Sequence, residues 1–100
     1  MHKYYIHHVP GRLRIETPFF IEASDYASKI DGVNSVEVIA ATNAVIINYN
    51  PEKASWQVII KEIENKGWFK LSEAVTLDEC LKSDIAKILN IGLEITEETL

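Results

Sequence analysis

The chain has 100 residues, 47% hydrophobic and 25% charged, with a formal net charge of −5, which suits one globular domain with a single core and excludes disorder along most of its length. The acidic balance argues against nucleic acid or an anionic membrane surface as the main partner, because both reward basic surfaces. Cys80 is the only cysteine, so an internal disulfide is excluded and a reducing, cytoplasmic setting is expected. No apolar run approaches the ~18–20 residues that span a bilayer, and Met1–Tyr5 has no apolar signal region, so no direct membrane insertion is expected.

Residues 3–9 are rich in aromatic and β-branched types, and residues 12–16 alternate, with Leu13 and Ile15 on one face and Arg12, Arg14 and Glu16 on the other. With Pro10 and Gly11 between them, the pattern predicts one long strand bulged or bent at that dipeptide, since Pro cannot donate to a ladder and Gly tolerates bulge geometry. Thr17-Pro18 predicts a helix start, with Thr17 capping and Pro18 at the first helical position. Phe19, Ala23, Tyr26, Ala27 and Ile30 form its apolar stripe, and Asp31-Gly32 its end. Val33–Ala40 alternates as a strand, Thr42-Asn43 makes a hairpin turn, and Ala44–Tyr49 returns with Val45, Ile47 and Tyr49 on one face. A second helix runs from about Ser55 to Lys66-Gly67, with Trp56, Ile59, Ile60 and Ile63 buried, and Trp68–Leu71 predicts a short last strand.

This order is βαββαβ over residues 3–72. It predicts an α+β, ferredoxin-like domain at 1–72: a four-stranded antiparallel sheet with two helices on one face and the other face open. Residues 73–100 add a C-terminal helical extension. Thr76–Glu79 has the form of a capping box, and Leu77, Leu81, Ile85, Ile88 and Gly92 trace one side of a helix. That stripe can pack on the open sheet face, on the end of the domain, or on a second copy.

His7-His8-Val9-Pro10-Gly11-Arg12-Leu13-Arg14-Ile15, together with Gly32–Val38 and the Tyr49-Asn50-Pro51 turn, resembles the divergent, cysteine-free branch of the heavy-metal-associated domains. Members of that branch stand alone or sit at the front of some heavy-metal P-type ATPases, iron-linked ones among them. The resemblance covers about residues 4–70. It implies a non-enzymatic accessory in metal homeostasis, iron before copper, that docks on a metal-transport ATPase, a storage-compartment protein or another copy of itself. The usual Cys-x-x-Cys pair of the wider superfamily is missing: the loop reads Glu16-Thr17-Pro18-Phe19-Phe20. Copper(I) held between two sulfurs of one chain is therefore excluded.

His7 and His8 are the candidate metal ligands, for iron, another transition metal or haem, since imidazole suits all of these and nearby cations suit haem propionates. Neighbours on a strand point to opposite faces, so the pair reaches one ion only if a bulge turns one of them; structural hydrogen bonding or an interface is the other reading. Arg12 and Arg14 share one face and suit a carboxylate or phosphate, the simplest target being a partner's acidic patch or the chain's own Glu residues, with Pro10 and Gly11 shaping the strand that presents them. Glu16, Glu22 and Asp25 could serve harder ions or simply complement a helix N-terminus. Cys80 reads as a small core residue. Tyr4 and Tyr5 beside the arginines make a faint RNA-like face, opposed by the net charge. No catalytic set at recognisable spacing is present, so an enzyme is not expected.

A purely structural interaction module is the rival reading. In it the old metal loop is vestigial, and assembly runs through the open sheet face or the C-terminal helix.

Overall fold

The computed structural model describes residues 3–76 and 79–89. The expectations for His2, for the Leu77-Asp78 part of the capping box, for the Cys80 side chain and for Gly92 and the acidic residues after it lie outside the described set.

The order is β1 (Tyr5–Val9), β2 (Arg12–Glu16), α1 (Phe20–Ala27), β3 (Val33–Ile39), β4 (Ala44–Tyr49), α2 (Trp56–Asn65) and α3 (Glu79–Leu89). The four strands form one antiparallel sheet in the order β1-β2-β4-β3. The ferredoxin-like α+β arrangement is present, with one change in which strand fills an edge. Pro10-Gly11 does not bulge a single long strand. It turns the chain back on itself, so that Val9 pairs with Arg12 and Ile6 with Ile15. Pro presets the first turn position and Gly takes the positive φ of the second, here +82°. The Gly11 carbonyl then accepts from the Tyr49 N–H at 2.9 Å, which ties the turn to the central strand.

Because β1 lies beside β2, the place expected for the last strand is already filled. Trp68–Leu71 is accordingly not a strand: the chain passes through a 3-10 turn at Leu71–Glu73 and touches the sheet only at Val75, in a parallel bridge to Tyr5. Two backbone bonds hold that bridge, Ile6 N–H to Val75 O at 3.0 Å and Val75 N–H to Tyr4 O at 3.1 Å.

Register assigns every strand residue to a face. Ile6, Ile15, Val45 and Val38 form one row toward the helices, and His8, Leu13, Ile47 and Val36 form the next. Against them pack Ala23 and Ala27 of α1 and Trp56, Ile59, Ile60 and Ile63 of α2. Each fully buried Leu, Ile or Val side chain there contributes about 1.5–3 kcal/mol. Helix α2 follows its expected pattern, with the Ser55 hydroxyl accepting from the Val58 N–H at 3.2 Å as its N-cap.

Leu81 and Ile85 of α3 join the same core cluster, with Leu89 packed against it. Ile88 of α3 and Ile60, Glu64 and Leu71 line one cleft, which places α3 on the helical side of the molecule beside α2. No described helix covers the opposite sheet face, on which Ala44 and Ile46 are nevertheless buried among their neighbours. Its rows are Val9-Arg12-Asn48-Ser35, His7-Arg14-Ile46-Glu37 and Tyr5-Glu16-Ala44-Ile39. Among the described residues no helix is long and apolar enough to cross a membrane.

Candidate functional site

The β1–β2 hairpin carries His7, His8, Pro10, Gly11, Arg12 and Arg14, and it divides the histidines and arginines between two faces. His8 points inward. Its Nε2 is hydrogen-bonded to the Tyr49 hydroxyl, its ring stacks on Tyr49 at 5.9 Å, and it lies 5.7 Å from Trp56. His7 points outward, across from Arg14. Adjacent residues of a regular strand diverge in this way, and the turn that might have altered the pattern falls after both of them. The two imidazoles therefore do not meet at one ion. Among the described residues no group of three His, Cys, Asp or Glu side chains is placed to hold a metal, and the pair does not fit a shared metal or haem iron.

Arg12 and Arg14 do share a face, as their spacing predicts. Arg14 Nη2 donates to Glu16 Oε2 at 3.1 Å and to Thr42 Oγ1 at 3.4 Å, so its guanidinium is tethered on this face while Arg12 is exposed. Asn48, next to Arg12, donates to Ser35 Oγ at 3.1 Å. Of the candidate carboxylates, Glu16 is bonded to Arg14, and Asp25 pairs with Lys29 at 3.4 Å on the far side of α1. They do not converge with Glu22.

The loop between β2 and α1, where a thiol pair sits in the wider superfamily, is closed by Thr17. This side chain is 1% exposed. Its hydroxyl donates to the Trp68 carbonyl at 2.5 Å and accepts from the Phe19 N–H at 3.1 Å. Thr17 thus closes a local turn and clips the distant 68 segment, and α1 begins at Phe20 instead of at Pro18. Replacing Thr17 by Val leaves a carbonyl and an amide without this partner in a buried place. The expected loss is about 1–3 kcal/mol, read as a lower urea midpoint at unchanged slope.

Tyr4, expected on the open face, is 1% exposed and packs edge-on against Phe69 at 5.2 Å. The faint RNA-like face is therefore reduced to Tyr5. Trp56 lies in the core, and Trp68 sits at its rim, edge-on to Tyr26 at 5.9 Å.

The residues that sequence reasoning missed are the partners of His8. Burial raises the Tyr49 hydroxyl above its usual pKa of 10.0, with backbone hydrogen bonds at Gly11 and Trp56 pulling the other way. A folded pKa above the unfolded one adds stability that is complete below pH 10 and lost as pH rises through the folded value. Tyr26, raised by its hydrogen bond to Glu62, adds a slope of the same sign. Melting temperature should therefore fall once pH passes 10, and Tyr49→Phe should flatten that fall without abolishing it. An identical alkaline slope in the variant would contradict the assignment. Reading Pro-Gly as a hairpin places His8 in the inward row with Leu13; the register of β2 with β4 is then needed to bring Tyr49 to it.

A groove of about 650 Å³ runs between the end of α1 and the start of α2, lined by Tyr26, Lys29, Lys53 and Glu62. It contains none of His7, His8, Arg12 and Arg14. No protein-family model, curated protein or solved structure matches the chain.

Proposed function

We propose that this chain is a non-enzymatic accessory domain in metal homeostasis, iron foremost, acting by docking through its uncovered sheet face and not by holding a metal between His7 and His8. The setting rests on the resemblance to the cysteine-free heavy-metal-associated branch. The docking part rests on one observation: His7, Arg12 and Arg14 stand together on the face that no described helix covers, while His8 turns to the other face and bonds Tyr49. Buried positions serve packing, and functional contacts are made by polar residues presented on a rigid scaffold.

Thr17 favours the rival reading on one point. Its two hydrogen bonds occupy the loop that a metal would need, which suits a vestigial loop in a module with no metal link. The identity of the partner separates the two. A photo-crosslinking residue at Asn48, on the open face, should capture a metal-transport or metal-storage protein in the native cell. The same group at Val58, on the exposed side of α2, should not. Capture from Asn48 of proteins unrelated to metal supports the rival, and equal capture from both positions removes the docking face altogether.

A further inference from the structure

The open face is chemically unlike the rest of this acidic chain. Its β1–β2 half presents His7, Arg12 and Arg14, and the one carboxylate among them, Glu16, is engaged by Arg14 at 3.1 Å. The acid on the β3 side of the face, Glu37, lies beyond β4, where its Oε2 accepts from Asn48 Nδ2 at 3.5 Å. A protein of net charge −5 therefore carries, on the sheet face that no described helix covers, a short strip in which the exposed Arg12 stands beside the Arg14–Glu16 pair, two cations to one acid. Repulsion from the remaining surface would steer an acidic partner to that strip and away from other approaches.

The two arginines are set up differently. Both contacts of Arg14 use Nη2, so Nη1 is not engaged by them, and the group is already oriented before anything binds. Arg12 is exposed beside Asn48, whose amide adds a neutral polar group to the strip. Alternate residues of one strand lie roughly 6–7 Å apart, a spacing that suits successive carboxylates of an extended chain. Guanidinium groups bind such carboxylates by paired, charge-assisted hydrogen bonds.

We infer that the partner docks through an acidic peptide segment laid across β1 and β2, its carboxylates taken by Arg12 and Arg14 and flanked by His7. This rests on the docking reading above and adds the chemistry of the partner to it. The probe is a hexaglutamate peptide titrated into the full chain and followed by amide chemical shifts at low salt. Shifts should centre on residues 7, 12, 14 and 48. The Arg12→Ser/Arg14→Ser double variant should bind roughly tenfold more weakly or worse, Arg12→Lys should recover part of the affinity, and added salt should weaken the wild type. Both arginines point away from the core, so circular dichroism of the variants should match the wild type.

Absence of shifts on this face, a double variant that binds like the wild type, or the same residues responding equally to hexalysine would overturn the inference. So would a Glu94→Gln/Glu97→Gln/Glu98→Gln variant that moves the same resonances with no peptide present, since the strip would then belong to the chain's own C-terminus. Crosslinking from Asn48 to a metal-handling protein through a segment without acids would sink the acidic chemistry and leave the docking reading in place.

Discussion

Truncating the chain after Thr76 should lower its unfolding free energy by about 3–6 kcal/mol, the worth of two apolar side chains at about 1.5–3 kcal/mol each. Leu81 is 3% and Ile85 9% exposed, and both belong to the core cluster that also holds Phe69 and Leu71. Their removal uncovers Leu71 and the outer flank of α2. Most natural domains have a margin of only about 5–15 kcal/mol, so the shortened chain should melt much earlier and expose surface that binds hydrophobic dyes. Urea denaturation followed by circular dichroism measures it. A midpoint equal to that of the full chain would show that α3 adds nothing to the core and would return it to the role of an assembly helix.

Gly32→Ala should cost about 2–5 kcal/mol, through two separate effects. Gly32 has φ +94°, where an L side chain is strained, at about 1–2 kcal/mol. An added Cβ would also stand 2.9 Å from Ala54 Cβ and 3.2 Å from Lys53 Cβ, and such overpacking costs about 1–3 kcal/mol. The backbone has little room to retreat, since the Gly32 carbonyl accepts from the Asn50 N–H at 2.8 Å. Gly67 provides the internal control. Its φ is +83°, but nothing lies within 4 Å of its Cβ position, so Gly67→Ala should show the strain alone, about 1–2 kcal/mol. Equal losses at the two glycines would mean that the approach of the 53–54 segment to Gly32 is not as close as described.

Local chemistry made much of the fold legible. The Ser55 cap and the 56, 59, 60, 63 stripe define α2 without help from the rest of the molecule, and all four stripe residues are buried. The β3–β4 connection is similarly self-contained: Asn43 takes the left-handed φ of 55° that Asn tolerates, and Val45, Ile47 and Tyr49 then share the buried face. What could not be read locally depends on competition between distant segments. Pro-Gly serves a bulge or a turn equally well, and the choice is made by the pairing of Ile6 with Ile15 and by the hold of Tyr49 on Gly11. Once β1 takes the edge, the aromatic run at Trp68–Phe69 has no strand to join. Its carbonyl goes to Thr17 and its Phe ring to Tyr4.

The candidate site follows the same division. Arg12, Arg14 and the divergence of His7 from His8 follow from a two-residue period, which a sequence displays. The attachment of His8 to Tyr49 spans 41 positions of chain and needs the register of two strand pairs before it can be seen. The Thr17 clip reaches even further, across 51 positions, and no periodicity marks it.

The proposed docking role requires that His7 and His8, which point to opposite faces of the sheet, hold no ion together. Calorimetric titration of the full chain with iron(II) and with zinc(II), beside the His7→Ala and His8→Ala variants, tests it most directly. No site tighter than roughly micromolar that needs both histidines is expected, because a lone imidazole on a sheet face supplies one of the about four ligands a closed zinc site uses. His8→Ala should instead lower stability, by loss of the Tyr49 contact. A tight one-to-one site lost equally in both variants would contradict it, since both rings would then have to reach the same ion.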